Sequence, residues 1–135
     1  MVLSNKPNNI SNSDVEPTRN SDSTEASILF QIVDKNGNDV PEDERGLLIY
    51  KGGTVCEDDF DYYAAATICK QMGFPGAKSW ESGYYFGLQY SLDIKLDDVK
   101  CLDYHEWTSC SYRESHNCEH DEDVFLTCGE GKLFT

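Results

Sequence analysis

Six cysteines constrain the fold of this chain more than any other feature. All of them lie between residues 56 and 128, an even number in a loop-rich stretch, which favours a disulfide framework formed in an oxidising compartment. Structural zinc is the competing interpretation, but the intervals between successive cysteines are 13, 32, 9, 8 and 10 residues, with no Cys-x-x-Cys pair. The spacing alone leaves several disulfide pairings open.

The charge balance indicates which classes of partner the chain can bind. The chain has 25 acidic and 11 basic residues, a formal net charge of −14, which repels nucleic acid and anionic membrane surfaces. We therefore expect no nucleic-acid partner. Bound cations and basic patches of other proteins suit such a surface, although the same charge is also consistent with solubility alone.

Both ends of the chain differ from its middle. Residues 1–27 are rich in Ser, Asn, Asp and Thr, which predicts a disordered tail or linker, and Asn9 opens a glycosylation-type triplet. The length suits one domain, placed at residues 28–129, with a short tail at 130–135.

No window contains the roughly 18 apolar residues of a bilayer span, so we expect no membrane insertion by this segment. Residues 1–20 lack the apolar core of a signal peptide, so a secreted form would derive from a larger precursor.

Apolar runs bounded by turn residues predict the strands. Runs rich in β-branched and aromatic residues predict strands at residues 28–33 and 47–50, a turn into a short strand at 54–56, and a closing strand at 124–128. Residues 76–95 are rich in Gly, Tyr and Ser, which predicts a long loop that leads into a strand near 88–92.

A helical period appears between residues 61 and 73. Four side chains recur at i, i+3, i+4 and i+7 and predict one buried helical face: Ala65, Ile68, Cys69 and Met72. Asp59 and Asp61 offer capping oxygens at its start, Gly73 suits the left-handed residue after its end, and Pro75 blocks continuation.

Four segments then resemble, in order, successive blocks of the scavenger receptor cysteine-rich domain. They are Gly53-Thr54-Val55-Cys56-Glu57-Asp58-Asp59-Phe60, Cys69-Lys70-Gln71-Met72-Gly73-Phe74, Leu96-Asp97-Asp98-Val99-Lys100-Cys101 and His116-Asn117-Cys118-Glu119-His120-Asp121-Glu122-Asp123. The resemblance implies an α+β fold, in which a curved antiparallel β-sheet cradles one α-helix, with long loops and three disulfides.

The resemblance also implies a disulfide connectivity. The implied pairs are Cys56 with Cys118, Cys69 with Cys128 and Cys101 with Cys110. The six-cysteine group A form fits, because the eight-cysteine form would need a cysteine near Phe74. Since Cys69 lies on the inner face of the predicted helix, its bridge would tie the helix to the closing strand.

A divalent-cation site is the next implication of the resemblance. Many domains of this family bind calcium or magnesium through acidic residues at positions that match Glu57, Asp58 and Glu122 here, and Glu57 stands where aspartate is usual. Hard divalent cations prefer carboxylate and carbonyl oxygens. Four further carboxylates are candidates for a second site: Asp59, Asp61, Asp97 and Asp98. The alternative is an acidic surface without a specific ion.

Aromatic and histidine side chains offer two further interpretations. An aromatic ligand-binding surface would include Trp80, Tyr84 and Tyr85, together with Phe86 and Tyr90, and the alternative is packing within the long loop. Three histidines suggest transition-metal or catalytic chemistry, but surface or structural roles are favoured, because no nucleophile lies in a motif context: His105, His116 and His120.

These observations predict a binding module and no enzyme. We expect an extracellular domain of a receptor, adhesion or matrix protein that contacts protein or polyanionic ligands, with a cation bridging its acidic loops to the ligand. Arg45 and Arg113 are the only arginines of the predicted domain, which disfavours direct capture of polyanions. A non-catalytic accessory domain of a larger secreted or membrane-bound enzyme is the alternative, since such domains accompany certain proteases and lysyl oxidases.

Overall fold

The computed structural model describes residues 29–102 and 106–130. The predicted N-terminal tail with Asn9, most of the predicted C-terminal tail, and His105 lie outside the described residues. The strands are β1 (Phe30–Val33), β2 (Arg45–Tyr50), β3 (Gly53–Val55), β4 (Ala77–Ser82), β5 (Ile94–Cys101), β6 (Cys110–Arg113) and β7 (Val124–Cys128). One α-helix, α1 (Tyr62–Gln71), and three short 3-10 helices complete the described part: Gly87–Ser91, Trp107–Ser109 and His120–Glu122.

The seven strands form one curled sheet in the order β4-β7-β2-β3-β5-β6, and β1 pairs with β2. All pairs are antiparallel except β3 with β5, which run parallel. The predicted α+β architecture, an antiparallel-rich curved sheet with one helix and three disulfides, is therefore confirmed, with one parallel pair, β3 with β5.

Helix α1 begins and ends where the sequence predicts. The Asp61 side chain caps it by accepting a hydrogen bond from the Ala64 backbone N–H at 2.9 Å. Gly73 follows the last turn with φ of +96°, the left-handed conformation that glycine adopts without steric cost. Three residues of the predicted helical face are fully buried in the main core: Ala65, Ile68 and Cys69. The fourth, Met72, is the residue after the last turn and is only partly buried against that core.

Strand β2 is buried on both faces, which explains its continuous apolar run. Leu48 and Tyr50 face the main core beneath α1. Leu47 and Ile49 point to the opposite side, because successive strand residues alternate, and there they join Phe125 in a second, smaller cluster. Three partly buried side chains cover that cluster: Phe86, Leu88 and Leu92.

The region 76–95 departs from the sequence prediction. Residues 77–82 form strand β4, which the sparse β-branched content of this segment did not indicate and which pairing with β7 stabilises. The strand predicted near residues 88–92 is wrong, since this segment forms the 3-10 helix Gly87–Ser91. The cause is tertiary, because Leu88 and Leu92 cover the outer face of the sheet instead of extending it.

Three disulfides hold this scaffold together. Cys56 is bonded to Cys118, Cys69 to Cys128 and Cys101 to Cys110, the three pairs that the resemblance implies. The second bridge joins α1 to β7, and the third links β5 to β6.

Candidate functional site

The bridge between Cys56 and Cys118 brings two acidic segments together. Beside it, the Glu57 backbone N–H donates to the Glu122 carbonyl oxygen at 2.9 Å, and Cys56 forms an isolated β-bridge with Asp123. The main chains of the two segments therefore meet, as expected from the implied disulfide.

The side chains of Glu57 and Glu122 nevertheless bind elsewhere. The Glu57 carboxylate accepts a hydrogen bond from the Ser82 hydroxyl on β4. The Glu122 carboxylate accepts one from the Glu119 backbone N–H at 2.9 Å, at the start of the 3-10 helix His120–Glu122. Each carboxylate already accepts a hydrogen bond from a different partner, so a cation shared by Glu57 and Glu122 would have to compete with these hydrogen bonds.

Asp58 instead approaches Asp97. Carboxylate oxygens of the two residues lie within 4.8 Å of each other, close to both sulfurs of the Cys56–Cys118 bridge. The bridged sulfurs are not thiolates and offer no metal ligand. The carboxylate pair is thus the part of this cluster that can hold an ion.

A β-bulge on β5 adds a third carboxylate. Asp97 pairs with Arg113 and Lys100 with Ser111, so β5 contains one residue more than β6 over this stretch. Asp98 lies in the bulge with φ of +56°, a left-handed conformation that aspartate tolerates better than most residues. Adjacent strand residues normally point to opposite faces, but here Asp97 and Asp98 line the same cavity.

This acidic cavity has a volume of about 260 Å³. Its lining consists of Asp58, Asp97, Asp98, Arg113, Ser115, His116 and Asn117. One cation is already present, because the Arg113 guanidinium lies 3.6 Å from the Asp98 carboxylate. Three carboxylates against one guanidinium leave an excess of two negative charges.

Asp97 is the least accessible of the three carboxylates, with 3% of its surface exposed. Burial raises its pKa above the usual value of 3.8, and the neighbouring charges of Asp98 and Asp58 raise it further. The Asp98 backbone N–H, which donates to Asp97 Oδ1 at 2.8 Å, opposes this shift. Two structural causes therefore penalise the charged form, and a bound cation would relieve both.

The remaining acidic candidates lie outside the cavity lining. Asp61 caps α1 and its carboxylate lies 3.6 Å from the Lys100 ammonium. Asp59 is exposed in a left-handed turn. Sequence reasoning missed Ser115 and Asn117, two polar residues that also line the cavity. Their position just before Cys118 was the available signal, since the bridge to Cys56 places them beside Asp58.

The two described histidines have local partners. His116, which lines the acidic cavity, accepts a hydrogen bond at Nδ1 from the Cys118 backbone N–H at 3.1 Å. His120 Nδ1 lies 2.7 Å from the buried Asp123 carboxylate. Both contacts hold the chain around the Cys56–Cys118 bridge.

The three candidate aromatic residues lie in different environments. Trp80 packs edge-on against Phe60, with ring centroids 5.0 Å apart, beside the main core. The Tyr85 ring packs against Phe125 at 5.0 Å and carries the Arg45 guanidinium over its face. Tyr84 is exposed and contacts another exposed ring, that of Tyr90.

Comparison with known proteins places this disulfide-linked α+β scaffold in a defined class. Residues 44–129 match the family model of the scavenger receptor cysteine-rich domain. The chain therefore belongs to the scavenger receptor cysteine-rich (SRCR) family, whose domain is a non-catalytic module. Disulfide-linked domains of this family are typically extracellular. Among the described residues, no helix is long and apolar enough to cross a bilayer.

Two curated relatives illustrate where such a domain occurs. A scavenger receptor cysteine-rich domain superfamily protein of Patiria pectinifera is 38% identical over 102 residues, which cover 72% of this chain and 9% of the relative. Lysyl oxidase homolog 2 of Mus musculus is 37% identical over 89 residues, which cover 62% of this chain and 11% of the relative. The chain thus spans about a tenth of the length of these relatives.

Solved structures support the fold. The third SRCR domain of murine neurotrypsin has a TM-score of 0.56 and 29% identity, and the match covers 73% of this chain and 94% of that one. The SRCR domain of mouse MARCO, in its dimeric form, has a TM-score of 0.51 and 32% identity, with coverage of 64% and 87%.

Proposed function

We propose that this chain is a group A SRCR ligand-binding module of an extracellular receptor, adhesion or matrix protein, and that calcium or magnesium binds in its acidic cavity. The observation that carries the proposal is the convergence of Asp58, Asp97 and Asp98 on one cavity with an excess of two negative charges. One divalent cation would neutralise that excess. The module itself would perform no catalysis.

The donor set of the cavity suits a hard cation. Calcium takes six to eight oxygen ligands from carboxylates, amide carbonyls, hydroxyls and water, and magnesium uses a similar but smaller set. Three carboxylates, the Ser115 hydroxyl and the Asn117 amide supply such oxygens. Soft metals, in contrast, would favour thiolates, and the cysteines of the described residues are all in disulfides.

The cation would also connect the domain to its ligand. The described residues contain two arginines, and both are paired within the chain, Arg45 with Glu81 and Arg113 with Asp98. Capture of a polyanion by free guanidinium groups is therefore disfavoured. A metal-bridged acidic group of a protein or polyanion fits the cavity, and a basic protein fits the rest of the acidic surface.

Thermal unfolding with and without calcium tests the cation site. We expect millimolar calcium to stabilise the domain by about 1 to 3 kcal/mol, the effect of a ligand held at about ten to one hundred times its dissociation constant. Asp58→Asn and Asp98→Asn should abolish the shift in melting temperature. The matched variants Glu57→Gln and Glu122→Gln remove a carboxylate outside the cavity lining and should retain it. No shift in the unaltered protein would contradict the cation site, and loss of the shift only in the glutamate variants would move the ion to Glu57 and Glu122.

A second candidate function is supported by the similarity to lysyl oxidase homolog 2. In that case the domain would be a non-catalytic accessory module of a larger secreted or membrane-bound enzyme. The neighbouring domains encoded by the complete reading frame distinguish the two candidates, because an adjoining oxidase or protease domain would favour the second.

A further inference from the structure

Two exposed tyrosines meet on the loop between β4 and β5. Tyr84 is 41% exposed and Tyr90 is 75% exposed. Their ring centroids lie 4.8 Å apart at an interplanar angle of 58°. Tyr90 also lies edge-on to the His120 ring at 6.1 Å. Together, Tyr84 and Tyr90 form an aromatic pair that the domain leaves accessible to solvent.

A buried glutamine holds the loop that carries this pair. Gln89 is fully buried, and its Oε1 accepts hydrogen bonds from the backbone N–H groups of Tyr85 and Phe86, both at 2.8 Å. Its Nε2 donates to the Gly83 carbonyl at 3.0 Å. One side chain thereby fixes the backbone on both sides of Tyr84.

The same amide attaches the loop to the neighbouring acidic segment. Gln89 Nε2 donates to the His120 carbonyl at 3.0 Å and to Asp123 Oδ2 at 2.9 Å. Asp123 is fully buried, and its Oδ2 also lies 2.7 Å from Nδ1 of the His120 ring. Because the loop is ordered before any partner arrives, binding to its tyrosines would cost little conformational entropy.

Two exposed acidic residues are the sequence neighbours of the histidine that contacts the aromatic pair, and no ion pair of theirs is found among the described residues. Glu119 and Asp121 are exposed on either side of His120, the residue that contacts Tyr90. Residues 83–92 and 114–123 contain no lysine or arginine. The two segments therefore present aromatic faces and negative charge without a basic residue of their own.

The domain already contains one guanidinium bound in this manner. The Arg45 guanidinium carbon lies 4.8 Å above the Tyr85 ring and forms an ion pair with Glu81. A tyrosine face combined with a carboxylate is the environment that arginine prefers outside water. All three tyrosines are exposed, but only Tyr85 has a guanidinium over its ring, and among the described residues no cation lies over the rings of Tyr84 and Tyr90.

We infer that Tyr84 and Tyr90, with Glu119 and Asp121, form a docking surface for an arginine side chain of a partner protein. The inference rests on the proposed ligand-binding function and adds a second contact with the protein ligand, in which an arginine side chain of the ligand binds aromatic and acidic residues of the domain. It does not involve the cation cavity. Tyrosine and arginine are the residues that most often dominate protein interfaces, and the net charge of −14 would steer a basic partner toward the domain.

The test uses a blocked Gly-Arg-Gly peptide as the probe, with the same peptide carrying citrulline in place of arginine as the neutral comparison. Amide NMR spectra of the isotope-labelled chain are recorded in the presence of a chelator, so that no bound cation contributes, and any response of the acidic cavity is read separately from the amides of residues 97, 98 and 113–117. We expect the arginine peptide to shift the amides of residues 83–91 and 119–123, and the citrulline peptide to shift them little. Tyr84→Ala and Tyr90→Ala should each weaken binding by about two- to fivefold, the effect of one exposed cation–π contact.

Separate control variants test whether a change in net charge or a loss of folding explains weaker binding. The tyrosine variants leave the net charge unchanged, so a weaker response cannot arise from long-range attraction. Tyr63→Ala removes a tyrosine of similar exposure, 44%, on α1 and should bind the peptide normally. Gln89→Leu should weaken binding while the disulfide-linked core keeps its spectrum. Shifts spread over the whole acidic surface, or affinity unchanged in both Tyr84→Ala and Tyr90→Ala, would overturn the inference and leave the calcium result unaffected.

Discussion

At the scale of single residues, Asp97 makes the cavity suitable for a cation but lowers the stability of the cation-free protein. Its carboxylate is nearly inaccessible to water and faces the negative charges of Asp58 and Asp98. Because its pKa in the folded state is raised above 3.8, the folded chain holds this proton more tightly than the unfolded chain. The stabilisation from protonated Asp97 is complete below that value and is lost as pH rises through the folded-state pKa.

Asp97→Asn should therefore stabilise the cation-free protein. We expect a higher melting temperature than that of the unaltered chain at neutral pH in a chelator, and a difference that shrinks as the pH falls through the folded-state pKa and disappears below 3.8. The same variant should lose the stabilisation by calcium. Asp93→Asn changes the net charge equally at an exposed position outside the cavity lining and serves as the control. A destabilised Asp97→Asn in chelator would show that hydrogen bonding, rather than repulsion, dominates at this residue.

At the scale of elements, helix α1 depends on one side-chain cap. Asp61 accepts the hydrogen bond of the Ala64 N–H, which would otherwise lack a partner at the helix start. Asp61 also pairs with Lys100, but at an exposed position where ion pairs contribute little.

Asp61→Ala should lower the free energy of unfolding by about 1 kcal/mol, measured by urea denaturation. Asp61→Asn keeps a capping oxygen and loses the charge, so we expect it to retain most of the stability. An asparagine variant as unstable as the alanine variant would assign the effect to the Lys100 pair.

At the scale of the whole molecule, the disulfides differ in the length of chain that they close. Cys56–Cys118 and Cys69–Cys128 span 62 and 59 residues, whereas Cys101–Cys110 spans 9. In the chain-entropy account, each long bridge removes about 4 kcal/mol of unfolded-state freedom and the short bridge about 2.5 kcal/mol. These amounts are large relative to the net stability of a small domain.

Removing a long bridge should consequently lower the free energy of unfolding more than removing the short one does. We expect the double variant Cys69→Ala/Cys128→Ala to unfold at a clearly lower urea concentration than Cys101→Ala/Cys110→Ala, and full reduction to unfold the domain. Circular dichroism during urea titration measures both variants under the same conditions. Equal losses would argue that native packing around each bridge outweighs loop length.

Much of this architecture was predictable from local patterns. The 3.6-residue period around Ile68 with Asp61 at one end and Gly73 at the other predicted α1, because helix periodicity and capping are local properties. The apolar runs of β2 and β7 predicted strands for the same reason. Strands β4, β5 and β6 escaped prediction. The residues of β4 have little intrinsic strand preference and are held by pairing with β7, and β6 is held by pairing with β5.

The acidic site was predictable only in part. The order of cysteine blocks was enough to indicate the SRCR family and to name Asp58, Asp97 and Asp98 among the candidate ligands. Which carboxylates converge was decided by tertiary structure: the bulge on β5 turns Asp97 and Asp98 to one side, while Ser82 and the Glu119 N–H engage Glu57 and Glu122.

Residue spacing and interactions between near neighbours were sufficient to predict the family, helix α1 and strands β1, β2, β3 and β7. Only the tertiary structure decided that residues 86–92 cover the outer face of β2 and that buried Gln89 leaves Tyr84 and Tyr90 exposed. Both outcomes depend on contacts between distant segments, such as those of Gln89 with His120 and Asp123. The direction of a side chain in a loop is set by these long-range hydrogen bonds, which no local pattern encodes.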